Sequence, residues 1–200
     1  MLTKSRAGTP VVVSATRHHL YERPYWLAVL ALLAAMLVAL PAHAQSVVPF
    51  DICATSGTLV MPDSQSVTVY GYAPGDCSNT PAAQVPGPAM VVNAGDTVQV
   101  TLHNALGEAT ALLFPGQTLP PDMAGAPPGG TAVYEFVAGT PGTYLYEAGL
   151  LPNAQHQVAM GMYGALIVRP ATPGQAYEDA ATAYNREALI VLAVIDPALN

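Results

Sequence analysis

Positive charge is scarce in this chain. Its 200 residues hold six Lys and Arg, and only Arg169 and Arg186 lie beyond residue 44. Residues 45–200 therefore set two basic side chains against twelve acidic ones, a net formal charge of −10. Such a surface repels nucleic acid and anionic membrane, which are bound mainly through Lys and Arg. Cysteine is nearly absent too. Two residues, Cys53 and Cys77, allow one bridge and exclude a disulfide-rich scaffold or a four-thiolate metal site. Long helical periodicity is missing, while 19 Pro and 17 Gly punctuate the chain. That pattern excludes a helical bundle and favours many short strands. There is no CxxC, no HExxH, no Ser-His-Asp motif and no glycine-rich phosphate loop after residue 44.

What is present begins with a leader. Lys4, Arg6, Arg17 and Arg23 precede an uninterrupted apolar run from Trp26 to Leu40, and Pro41-Ala42-His43-Ala44 follows. Basic, then apolar, then A-x-A is the order of a secretory signal peptide, here residues 1–44. The run is 15 residues, short of the ~20 that cross a bilayer as a helix. A retained membrane anchor is the alternative, and the leader's length means that Met1 need not be the true start. No Arg-Arg pair precedes the run, so general secretion of an unfolded chain is expected, and an exported location: periplasmic, cell-surface or secreted. Two cysteines in an oxidising compartment usually pair, so a Cys53–Cys77 bridge is expected. A thiolate metal ligand is the competing reading.

Beyond the leader the apolar pattern has period two. Ser66 to Tyr72 alternates, as does Thr97 to His103, with Val98, Val100 and Leu102 on one face and Gln99, Thr101 and His103 on the other. Thr131 to Val137 resumes the alternation, Thr143 to Tyr146 reads as a short strand, and Met162 to Val168 as a buried one. Pro115 to Gly130 is a long Pro- and Gly-rich loop. A second loop is expected from Glu147 to about Val158, a linker from Pro170 to Arg186, and a final strand from Glu187 to Ile195. Only Ala176 to Tyr184 has helical potential. About eight short strands predict an all-β sandwich with Greek-key connections.

Four stretches together resemble the N-terminal plastocyanin-like domain of multicopper oxidases. They are Pro86-Gly87-Pro88 with Val91 to Val100, Asn104 and Leu106; Leu113-Phe114-Pro115-Gly116-Gln117; Pro141-Gly142-Thr143-Tyr144-Leu145-Tyr146; and Gln157 with Gly161 to Val168. The family's versions read P-G-P and G-D-x-V-x-V, H-W-H-G, P-G-T-Y-W-Y, and Q-x-x-x-G-L-Y-G-x-L-I-V. Their order and spacing imply a cupredoxin-like domain over residues 45–170, with residues 171–200 as linker and strand leading toward a next domain. Gly95 suits a tight turn, and Gly161 and Gly164 suit close backbone approach or a bulge.

The departures from the family bear on function. In the family, H-x-H in the second stretch and H-x-H after the third give four imidazoles to a trinuclear copper cluster. The matching positions here are Leu113, Pro115, Glu147 and Gly149. Three have no donor side chain, and a carboxylate substitutes poorly for imidazole at copper. Only His103 and His156 follow residue 44, both downstream of the cysteines, so the His-Cys-His order of a type 1 copper site cannot be made. His156, Met160 and Met162 form the one cluster with soft-metal character, a candidate Cu(I) site, although Met is also a common core filler. His103 reads as a solvated or cross-strand residue.

These residues lead to an exported, copper-ligand-deficient domain with a structural role. No cofactor is expected in this chain, and copper is possible in a full-length protein. Its partner would be a following cupredoxin domain or a second copy; membrane contact would require a retained leader. One alternative is a copper-dependent oxidase or reductase with metal sites in later domains, and the other is a His/Met copper-binding protein. Loops 112–116 and 147–149 are expected side by side, held by burial of Leu113, Phe114 and Leu150.

Overall fold

A computed structural model describes residues 46–198 and 200, so the proposed leader lies outside the described residues. Eight strands form two four-stranded sheets. Strands β1 (Val47–Val60), β2 (Ser66–Pro74), β4 (Thr97–Asn104) and β6 (Thr131–Val137) make the first, in the order β2-β1-β4-β6. Strands β3 (Met90–Asn93), β5 (Leu112–Leu113), β7 (Gly142–Ala148) and β8 (Tyr163–Arg169) make the second, in the order β3-β8-β7-β5. The β1–β4 and β3–β8 pairs are parallel and the others antiparallel. The all-β sandwich expected from the sequence is present.

The core lies between the sheets, where period-two patterning places it. Val98, Val100 and Leu102 of β4 are fully buried, opposite Tyr134 and Phe136 of β6. β8 is buried over its central five residues. Tyr146 of β7 explains two of the motif glycines. Its hydroxyl donates to the Pro88 carbonyl at 2.7 Å, and a Cβ on Gly164 would lie 2.3 Å from its Cζ. The ring occupies the space that side chains at Gly164 and Gly87 would need.

Cys53 and Cys77 are joined, with Cα atoms 5.1 Å apart, inside the usual range for a bridge. The bond ties the middle of β1 to the turn after β2.

Four features differ from expectation. β1, the longest strand, was not anticipated, because Ile52 to Thr55 are all buried and break the alternation that marks a strand. The expected loop 147–158 instead completes β7 and then holds a two-turn helix, α1 (Ala154–Met160), closed by Gly161 in the left-handed region at φ 120°. Residues 176–184 form no α-helix and hold a 3-10 turn, Ala180–Thr182, followed by a bridge from Ala183 to Gln175. The expected final strand, 187–195, pairs with no described strand. Val191 to Val194 lie beside Leu145 of β7, Val158 of α1 and Tyr163 of β8. β7 and β8 are interior strands of the second sheet, and this segment forms no ladder with either.

Candidate functional site

Three of the four positions of interest, Leu113, Glu147 and Gly149, meet at the β5 edge of the second sheet, and Pro115 follows two residues after Leu113. Leu112 pairs with Ala148 and Leu113 with Glu147. The Gly149 N–H donates to the Ala111 carbonyl at 2.8 Å, which extends the pairing by one step. Loops 112–116 and 147–149 are therefore neighbours, as expected, although over thirty residues separate them along the chain.

Apolar packing and one buried phenol hold this edge. Phe114 is buried with its ring 4.8 Å from that of Phe136 and 6.1 Å from that of Tyr146. The Tyr134 hydroxyl accepts from the Leu112 N–H at 3.1 Å and donates to Asp122 Oδ2 at 2.9 Å. Asp122 Oδ1 accepts from the Ala124 and Gly125 N–H groups, pinning the Pro- and Gly-rich loop to the edge. Burial raises the pKa of the Asp122 carboxyl, but the two N–H groups and the Tyr134 hydroxyl outweigh it and hold the carboxyl below its ordinary range. Burial, and secondarily the Asp122 carboxylate, push the Tyr134 phenol up, while the Leu112 N–H opposes them. Leu150 does not join this packing. It is 51% exposed, because the chain turns at Gly149 and sends Leu151 inward against Gly125.

A second buried polar group fixes the neighbouring turn. Gln157 of α1 is fully buried and accepts from the Thr110 hydroxyl at 2.9 Å. Its Nε2 donates to Glu108 Oε1 at 3.0 Å and to the Ala109 carbonyl at 2.9 Å. The sequence marks Gln157 as a motif residue without disclosing these partners. Nothing in the sequence points to Ala111, which is buried against Gly149.

As a donor set these positions do not fit copper. Leu113 and Pro115 carry no donor, and Gly149 has neither a side chain nor space for one. Glu147 alone offers a carboxylate. Among the described residues no group of three or more His, Cys, Asp and Glu is placed to hold a metal ion. The His/Met candidates divide between surface and interior. His156 is exposed, edge-on to Tyr70 at 6.1 Å, whereas Met160 and Met162 are buried and Met162 belongs to the main core. His103 lies across from β1, its Nε2 3.1 Å from Asp51 Oδ1, in keeping with a cross-strand residue.

Two sheets packed face to face, with the first and last strands of the second sheet brought together by long connections, define a cupredoxin-like sandwich. Residues 76–173 match the family model described as multicopper oxidase. Over 97 residues, 44% of this chain, the sequence is 35% identical to Copper resistance protein A of Pseudomonas syringae pv. tomato. Over 116 residues, 54% of the chain, it is 33% identical to Copper resistance protein A of Escherichia coli. A copper nitrite reductase from Nitrosomonas europaea superposes with a TM-score of 0.55 at 27% identity, covering 63% of this chain and 42% of that one. A multi-copper oxidase from Pseudomonas Thermotolerans superposes with a TM-score of 0.56 at 21% identity, covering 66% of this chain and 31% of that one, a likeness of fold alone. The chain thus carries a cupredoxin-like domain similar to those of multicopper oxidases. The matched stretches span only 15% and 18% of the two copper resistance proteins.

Proposed function

We propose that this chain is an exported, copper-ligand-deficient domain of a multicopper-oxidase-like protein, and that it acts by packing against a following cupredoxin domain. One observation carries the reading. Of the positions equated with the family's ligands, Leu113, Glu147 and Gly149 converge on one edge with Pro115 just beyond it, and none is a histidine. An edge that keeps the geometry and lacks the donors is suited to contact and not to redox chemistry.

Exposed apolar residues support a contact role. Leu150 and Met123 are 51% and 68% exposed, and Ile190, Leu192 and Val194 stand out from the tail at 75% or more. Gathered into one patch, such residues would offer a following domain an apolar contact surface. The basic-apolar-small leader supports export, and the Cys53–Cys77 bridge suits an oxidising compartment. A second reading is favoured by the names of relatives. These include Copper resistance protein A and a copper-containing nitrite reductase of Alcaligenes xylosoxydans xylosoxydans, 34% identical over 110 residues. In it, a longer polypeptide is a copper-dependent oxidase or reductase whose metal is held by later domains.

Hydrogen exchange tests the packing role. The chain from residue 45 is measured alone, then with the polypeptide encoded after residue 200 of its reading frame. Slowed exchange at 112–116 and 147–150 in the second sample is expected. Unchanged exchange there, with the two parts behaving as independent bodies, would contradict it.

A further inference from the structure

We infer that the β5–β7 edge is closed to copper by its backbone packing as well as by its side chains, and that Ala111, outside all four ligand positions, closes it. The inference rests on the proposed equivalence of those positions to ligand positions, and not on the packing role of the edge. The four positions differ in the room they offer. Leu113 and Glu147 are half-exposed and Pro115 is exposed, so longer side chains there can extend outward. Gly149 is buried. A Cβ built on it would lie 2.8 Å from the Ala111 Cβ, 3.3 Å from the Ala111 carbonyl carbon and 3.4 Å from that of Leu112. Two of these three atoms are backbone and cannot rotate away. Gly149 is absent from the positive-φ glycines, so space is its constraint and not conformation.

The opposing segment cannot retreat either. Thr110 exchanges two backbone hydrogen bonds with Ala126, at 2.7 and 3.1 Å, and its hydroxyl is held by Gln157. The Leu112 N–H is held by Tyr134. Ala111 sits between these anchors, fully buried. A side chain at 149 must therefore push β7 from β5 or break an anchor, and overpacked cores lose stability. Putting histidines back at the four positions would not rebuild a copper half-site, because the fourth has no place to stand unless Ala111 is also reduced to glycine.

Three nested variants test this: Leu113→His/Pro115→His/Glu147→His, the same with Gly149→His, and that set with Ala111→Gly. Urea unfolding and copper retained per chain after Cu(II) loading and desalting are the readouts. The first variant should unfold near the parent. Adding Gly149→His should raise the unfolding equilibrium constant by about tenfold or more, the range expected of overpacking. Ala111→Gly should then recover much of that loss and increase the copper retained. The smaller pair Gly149→Ala and Gly149→Ala/Ala111→Gly reads the same lock if the histidine variants do not fold. A Gly149→Ala chain as stable as the parent, or no recovery from Ala111→Gly in either background, would overturn the inference. Copper bound at this edge by the unaltered chain would instead overturn the ligand-deficient reading, which keeps the two failures apart.

Discussion

Replacing Gln157 with leucine should destabilise the domain by about 3 kcal/mol, although the two side chains are similar in size. The wild-type amide is fully buried and makes three hydrogen bonds, to Thr110, Glu108 and Ala109. The losses are unequal. Thr110 is fully buried, and its stranded hydroxyl costs ~1–3 kcal/mol. Glu108 is half-exposed and can turn to water, and the Ala109 carbonyl keeps a bond from Asn153 Nδ2 at 3.1 Å. Those two losses should contribute roughly 0.5–1 kcal/mol each. Urea unfolding of the bridged protein gives the total, with an unchanged m-value showing that the unfolded state is unaltered. The control is Gln157→Leu/Thr110→Val. Removing both polar partners leaves no stranded hydroxyl, so the double variant should be about 1–2 kcal/mol more stable than Gln157→Leu alone. A loss under roughly 0.5 kcal/mol for Gln157→Leu, the size of a surface change, would refute the reasoning. So would strictly additive effects of the two substitutions.

Reduction of Cys53–Cys77, which closes a 24-residue separation, should lower stability by about 3 kcal/mol in the chain-entropy model; comparing urea midpoints with and without reductant checks this, and denatured, unreduced protein should show no titratable thiol. Acid should weaken the fold through Asp96 and Asp122. Burial raises the pKa of Asp96, but bonds from the Ser46 hydroxyl and the Asn93 amides outweigh it, so both carboxyls titrate below their ordinary value. Stability from such groups is complete above the unfolded pKa of about 4 and is lost as pH falls below it toward the folded pKa. Asp96→Asn should therefore flatten the stability profile below about pH 4, and an unchanged slope there would exclude Asp96 as a contributor.

Much of the fold was legible because its strands repeat every two residues and its turns use Gly and Pro. β4 is the clearest case, with Val98, Val100 and Leu102 inward and Gln99, Thr101 and His103 outward. β1 was hidden because its centre is buried without alternation. The tail 187–195 has strand composition but lies beside Leu145, Val158 and Tyr163 without joining a ladder. That distinction depends on tertiary position and leaves no trace in composition. α1 was masked by its two-turn length, too short for helical periodicity to emerge. At the candidate site, the adjacency of loops 112–116 and 147–149 followed from the family motifs. The contact of Ala111 with Gly149 did not, because two small residues meeting across a strand pair carry no pattern of their own. Leu150, expected to be buried, is exposed for a similar reason, since a turn of one residue decides that Leu151 faces inward instead.

The central claim is that the family's ligand positions are present as geometry and absent as chemistry. The direct measurement is copper bound per chain by protein beginning at residue 45, loaded separately with Cu(I) and Cu(II), desalted, and scanned through the visible range. The expected result is far less than one tightly held copper per chain and no blue or near-ultraviolet copper band. Stoichiometric copper that survives desalting, with strong visible colour, would contradict it.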